Sequence, residues 1–281
     1  MDVYEEVVRL RHDGRHGALA TIINVKGSIP SYASAKMLVR DDGSTVGTIG
    51  GGCVEAEVLQ VARKVMDDEK PQTLAFNLNR EPGYDTGLVC GGKLEIYVEP
   101  VVPDPVLYIF GAGHVGLNVY KIALLAGFVV VVIDDRVAFA NRERFPDATD
   151  VIAEDWNTAM NRLTPSPASY ILIATRGHSE DAHVLRWAID TATSYIGMIG
   201  SRHKVATVYH DLIASGVAAE KFAHVHAPVG LDIGASTPEE IAVSVVGELI
   251  ALRRRCAAAL PHMRHIAKLA AVAEPSLEKV A

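Results

Sequence analysis

Three consecutive glycines end on a thiol at Gly50-Gly51-Gly52-Cys53, a second thiol opens Cys90-Gly91-Gly92, and a phosphate-type loop follows at Gly111-Ala112-Gly113-His114-Val115-Gly116. Such a set suits a phosphorylated ligand that a soft sulfur atom can also touch. Glycine lacks the Cβ that keeps a ligand off the main chain. The apolar helical run from Val54 to Met66 begins at Cys53, and a helix start favours thiolate, the form that binds soft metals or attacks sulfur. Cys53 is therefore the first candidate, with Gly51 and Gly52 as backbone contacts. Glu55, in the first helical turn, serves either the ligand or the helix cap. Cys90 has no evident helix beside it, and the competing reading of both cysteines is a small buried hydrophobe. Persulfide carriage is a further chemistry that a thiolate at position 53 permits.

The phosphate-type loop sits where its glycines have physical meaning, between a strand at Val106 to Phe110 and a helix at His114 to Ala126. Gly111, Gly113 and Gly116 permit the tight turn, the close phosphate approach and the helix packing, with His114 at the helix start. A second strand, Val129 to Ile133, ends on Asp134, where a ribose-binding carboxylate belongs. Later strands at Tyr170 to Ala174 and Tyr195 to Ile199 are followed by Thr175-Arg176-Gly177-His178 and Gly200-Ser201-Arg202. Arg176 and Arg202 would clamp a phosphate there, with His178 and Ser201 beside them; the alternative for each arginine is an ordinary surface ion pair. An NAD(P)-dependent oxidoreductase is one functional reading of these features, although no Tyr-x-x-x-Lys and no histidine with an orienting acid accompanies them. His224 and His226 would share one strand face, which is compatible with a metal but lacks a third ligand.

The elements that must position these groups divide the chain. Residues 1–100 read as a smaller α+β domain, with a helix over 2–13, strands at Ala18 to Val25, Lys36 to Arg40, Leu74 to Leu78 and Leu94 to Val98, and a turn at Asp41-Asp42-Gly43. Residues 101–105 form a proline-bearing linker. Residues 106–255 alternate strand and helix, a weaker strand lying near Val151, which implies a Rossmann-like parallel sheet covered on both faces. Thr237-Pro238-Glu239-Glu240 is a helix start with a capping box, and that helix should run through Arg255. Residues 256–281 read as a partly ordered tail. At 281 residues and 49% hydrophobic content the chain can bury full cores, and a formal charge of −7 argues against nucleic acid or an anionic membrane as partner. The first residues lack a basic and then apolar leader, so the expected location is the cytoplasm. Cys53, Cys90 and Cys256 lack the spacing of a disulfide framework or structural zinc.

Several ordered blocks resemble a known family. They are Gly27-Ser28-Ile29-Pro30, Ala35 to Val39, Thr48 to Glu55, Cys90 to Gly92, Phe110 to Gly116, Gly197 to Lys204, and His226 to Gly234 with Thr237 to Glu240. Over roughly residues 5 to 255 the chain is similar to the XdhC/CoxI family of xanthine dehydrogenase accessory factors. The resemblance implies a maturation factor, without turnover of its own, that binds molybdenum cofactor (molybdopterin) as cargo. It would protect that cargo during sulfuration by a cysteine desulfurase and deliver it to a xanthine dehydrogenase or related molybdenum hydroxylase. It also implies a homodimer, with Cys53 as a contact to molybdenum. Where the family often has Pro-Arg and then Gly-Ala-Lys, this chain has Pro30-Ser31 and Ser34-Ala35-Lys36. That difference removes one arginine and shifts charge recognition to Lys36.

Overall fold

Alternating apolar side chains decide which helices cover which sheet faces. In the computed structural model, which describes residues 2–27, 34–77 and 92–254, the chain divides into two units, Met1–Asp104 and Pro105–Ala281. Each unit has hydrophobic clusters of its own.

The first unit runs α1 (Val3–His12), β1 (Gly17–Gly27), β2 (Lys36–Arg40), β3 (Thr45–Gly47), α2 (Gly52–Asp68), β4 (Gln72–Asn77) and β5 (Gly92–Val101). Its antiparallel sheet has the order β3-β2-β1-β5-β4. Met37 and Val39 pack with Ala18, Ala20, Ile96 and Val98 under Val54, Val58, Ala62 and Val65 of α2. Leu38, one residue out of phase, meets Leu10 of α1 with Leu19 and Val101. The two-residue strand period thus places α1 and α2 on opposite faces.

Three details depart from the sequence reading. β3 is an added edge strand after the turn at Asp41 to Gly43. β4 begins at Gln72, and Leu78 lies outside the described residues. Val101, expected as the first residue of the linker, ends β5 paired with Gly17, after Pro100 paired with Ala18. Pro100 is tolerated there because β4 pairs only as far as Val98, so the proline faces one neighbouring strand rather than two.

The second unit contains β6 (Val106–Phe110), α3 (His114–Leu125), β7 (Val129–Ile133), β8 (Asp150–Ile152), α4 (Trp156–Arg162), β9 (Ser169–Ile173), α5 (His178–Ala188), β10 (Tyr195–Met198), α6 (Arg202–Ala214), a 3-10 turn (Ala219–His224), β11 (Val225–His226) and α7 (Pro238–Arg253). Its six strands are parallel in the order β11-β10-β9-β6-β7-β8. Phe110, Ile133, Ile173 and Met198 point to α4, α5 and α6. Ile109, Val132, Leu172 and Tyr195 point to α3 and α7. Helices on both faces explain why these strands are apolar at nearly every position.

The α7 start forms the full capping box: Thr237 Oγ1 accepts the Glu240 amide at 3.2 Å and Glu240 accepts the Thr237 amide at 3.1 Å. The helix ends at Arg253, earlier than the expected Arg255, and Arg253 donates to the Ala126 carbonyl at the end of α3 at 3.0 Å. The expected tail, 256–281, lies outside the described residues. Among the described residues no helix is long and apolar enough to cross a membrane.

Candidate functional site

From β6 the sheet grows one way through β7 and β8 and the other way through β9, β10 and β11. At such a switch point the loops after the two central strands part and leave a crevice. Gly111 stands there with φ 121°, and a Cβ on it would lie 2.1 Å from the Ala174 carbonyl oxygen. A Cβ on Gly116 would lie 2.0 Å from the Gly111 oxygen, so this glycine lets α3 close against the loop. Gly113 differs, since a Cβ there would meet nothing within 4 Å. It leaves the α3 start without a side-chain cap, and the first turn carries no acidic residue. The amides and partial positive charge of this helix end remain available to an anion.

The neighbouring helix starts are served from within the chain. At α5, Glu180 folds back to its own amide and takes the Ser179 hydroxyl at 3.0 Å; these bonds hold its carboxyl below the usual range. At α6, Ser201 accepts the Lys204 amide at 3.2 Å. Arg176 pairs with Asp135 at 2.7 Å while remaining half exposed. His114, His178 and Arg202 are the exposed first residues of α3, α5 and α6. The phosphate-type and ribose-type positions named from sequence in this unit therefore all follow the carboxyl ends of β6, β7, β9 and β10.

Asp134 is there too, in a different role from the one its spacing suggested. It is 1% exposed. Its Oδ2 accepts the Ala112 amide at 2.8 Å and Arg136 Nη2 at 2.8 Å, while Oδ1 accepts the Arg136 amide at 3.0 Å and Nε at 2.7 Å. Burial pushes its pKa up, but Arg136 and the two amides outweigh that and hold it below the usual carboxylate range. The carboxylate fastens the glycine loop to β7.

In the first unit, Gly50, Gly51 and Gly52 all take positive φ, 121°, 81° and 66°, a path that side chains resist. Cys53 is the second residue of α2 and is exposed. Glu55 Oε1 accepts the Thr48 hydroxyl at 2.6 Å and the amides of Ile49 and Gly51 at 3.1 Å each. Burial raises the Glu55 pKa, and these donors more than reverse it. The loop does gather amides around an anion, and in this conformation the anion is the chain's own.

Lys36 is not part of that group. It donates to Thr21 Oγ1 at 3.1 Å, 5.8 Å from the Tyr4 ring centre on the α1 face, whereas Cys53 lies in the first turn of the helix on the opposite face. Cys90 and the Pro30-Ser31 step lie outside the described residues. Among the described residues no cluster of three or more metal-ligating side chains occurs.

Two buried clusters escaped the sequence reading. Asp181, fully buried on α5, takes the Thr175 hydroxyl at 2.5 Å and pairs with Lys204 of α6. Glu248 on α7 joins His226, the Tyr195 hydroxyl and the Gly230 amide. His226 lies on β11, but His224 ends the preceding 3-10 turn and is exposed, so the two histidines do not share a strand face. Glu248 had a detectable signal, an acid three residues after buried Val245 on the apolar side of a helix.

Comparison with known proteins adds a lineage to this geometry. Residues 107–249 match the XdhC Rossmann domain and residues 10–77 match the XdhC and CoxI family. The uncharacterized protein YqeB of Escherichia coli is 36% identical over 90% of this chain, which spans only 46% of that relative's length. A Bacillus subtilis protein named as a probable xanthine dehydrogenase subunit is 25% identical over 88% of this chain and 96% of its own. The E. coli molybdenum cofactor insertion chaperone PaoD is 23% identical over 85% of this chain and 84% of its own. A Bacillus halodurans crystal structure described as a xanthine dehydrogenase superposes with TM-score 0.50 at 25% identity, covering 91% of this chain and 96% of that one. With both family regions present in order, one in each unit, the chain belongs to the XdhC and CoxI family.

Proposed function

We propose that this protein is an accessory factor that binds molybdenum cofactor, holds it during sulfuration and assists its insertion into a xanthine dehydrogenase or related molybdenum hydroxylase. The observation that carries the reading is the presence, in one chain, of an exposed thiol at a glycine-bordered helix start and an open, acid-free helix start after a phosphate-type loop. Molybdopterin has a phosphate, a flat heterocycle and a sulfur-ligated metal. Taken unit by unit, the α3 amides of the second suit a phosphate, and the Cys53 sulfur of the first suits a soft metal. The names of the B. subtilis relative and of PaoD support the same pathway and client class.

In this reading the protein performs no turnover itself. A cysteine desulfurase supplies the sulfur, the working form is a homodimer, and the compartment is the cytoplasm. The test is purification from a molybdenum-replete host, followed by mass-spectrometric identification of the bound small molecule. A pterin near one per chain is expected, with most of it lost in Cys53→Ala at unchanged thermal unfolding. Full occupancy in that variant would reject the thiol contact, and absence of any pterin from the parent protein would reject the cargo.

A further inference from the structure

In a dinucleotide-binding site of this architecture, the carboxylate after the second strand accepts the ribose hydroxyls. A carboxylate has about four acceptor sites. Asp134 has all four in use: two by the Arg136 side chain, one by the Arg136 amide and one by the Ala112 amide. The guanidinium is held from a second direction, with its centre 3.8 Å from the Phe139 ring centre. The Ala112 bond shows how close this carboxylate is to the glycine loop. Unpaired, it would oppose a phosphate at the α3 start; paired with Arg136, it does not.

We propose that Arg136 is a specificity-determining residue of the crevice. By filling Asp134 it bars nucleotides that must place a free ribose diol there, NAD(H) being the reference case. This exclusion of the diol stands apart from the cofactor reading above.

The full chain is titrated with NADH, followed by fluorescence, as the parent protein and as Arg136→Ala and Arg136→Lys. The parent should show no saturable binding into the millimolar range. Arg136→Ala, which exposes the Asp134 carboxylate, should gain NADH affinity by at least about tenfold. Arg136→Lys keeps the charge without the two-pronged match and should gain less. Adding Asp134→Asn to Arg136→Ala should remove the gain. Micromolar NADH binding by the parent overturns the proposal, as does a folded Arg136→Ala with no gain; if that variant does not fold, the same criterion applies to Arg136→Lys. A gain of NADH affinity in a protein that never carries a pterin would reject the cofactor reading while leaving the selectivity intact.

Discussion

His226 Nδ1 lies 2.5 Å from Glu248 Oε1, and that carboxyl also accepts the Tyr195 hydroxyl at 3.0 Å and the Gly230 amide at 2.8 Å. One buried acid therefore ties β10, β11 and the following loop to α7. Burial raises its pKa, but His226, Tyr195 and the Gly230 amide hold it below the usual range. With the folded value below the unfolded one, the stabilisation is fully present above the unfolded value of about 4.3 and is lost as pH falls through the folded value. Glu248→Gln should cost about 3 kcal/mol at neutral pH. Thermal unfolding against pH should show the deficit closing below about pH 4; a deficit that stays constant into that range would contradict this account.

The loop glycines separate packing from binding. Gly111→Ala forces a Cβ to 2.1 Å from a carbonyl oxygen at φ 121°, whereas Gly113→Ala adds a methyl group in open space. The first should lose about 3 kcal/mol or more, or fail to fold. The second should stay within about 0.5 kcal/mol of the parent by urea unfolding and lose bound cofactor.

Glu55→Ala removes the acceptor of one hydroxyl and two amides in the Thr48 to Gly51 loop. By analogy with capping residues, the cost should be about 1–2 kcal/mol in urea unfolding. Brief alkylation of the native parent protein with peptide mapping should find Cys53 modified, because the thiol is exposed. Protection until the protein is denatured would show that this surface is covered in solution.

Asp181→Ala strands Lys204 and leaves the Thr175 hydroxyl beside the crevice with only the Gly177 carbonyl of its two acceptors. A loss of about 3 kcal/mol is expected from breaking a pair with a fully buried member. Lys204→Met in the same background should recover part of it. A double variant no better than Asp181→Ala alone would place the cost elsewhere.

Local rules made much of this molecule legible. β6 and β7 fall where runs of branched residues end on the glycine loop and on Asp134, and the α7 capping box is written in four consecutive residues. The role of Asp134 was not legible, because spacing shows that a carboxylate ends the strand and not that Arg136, two residues on, folds back over it. The face that Lys36 takes was not read from the sequence, although strand parity sets it with Leu38, toward α1, once Met37 and Val39 are assigned to α2. The pairing of His226 with Glu248 joins groups separated by a turn and half a helix. β3 has only Val46 as an apolar residue, too little for a period to register.

The packing of α3 against α7 has a consequence for biosynthesis. Asn118 of α3 bonds Glu239 of α7 across 121 positions of sequence, and Arg253 closes the far end of α3. As the nascent chain leaves the ribosome from its amino end, the glycine-loop helix emerges long before the helix that covers its flank. The phosphate-type crevice therefore reaches its finished form only after α7 has emerged and packed against α3.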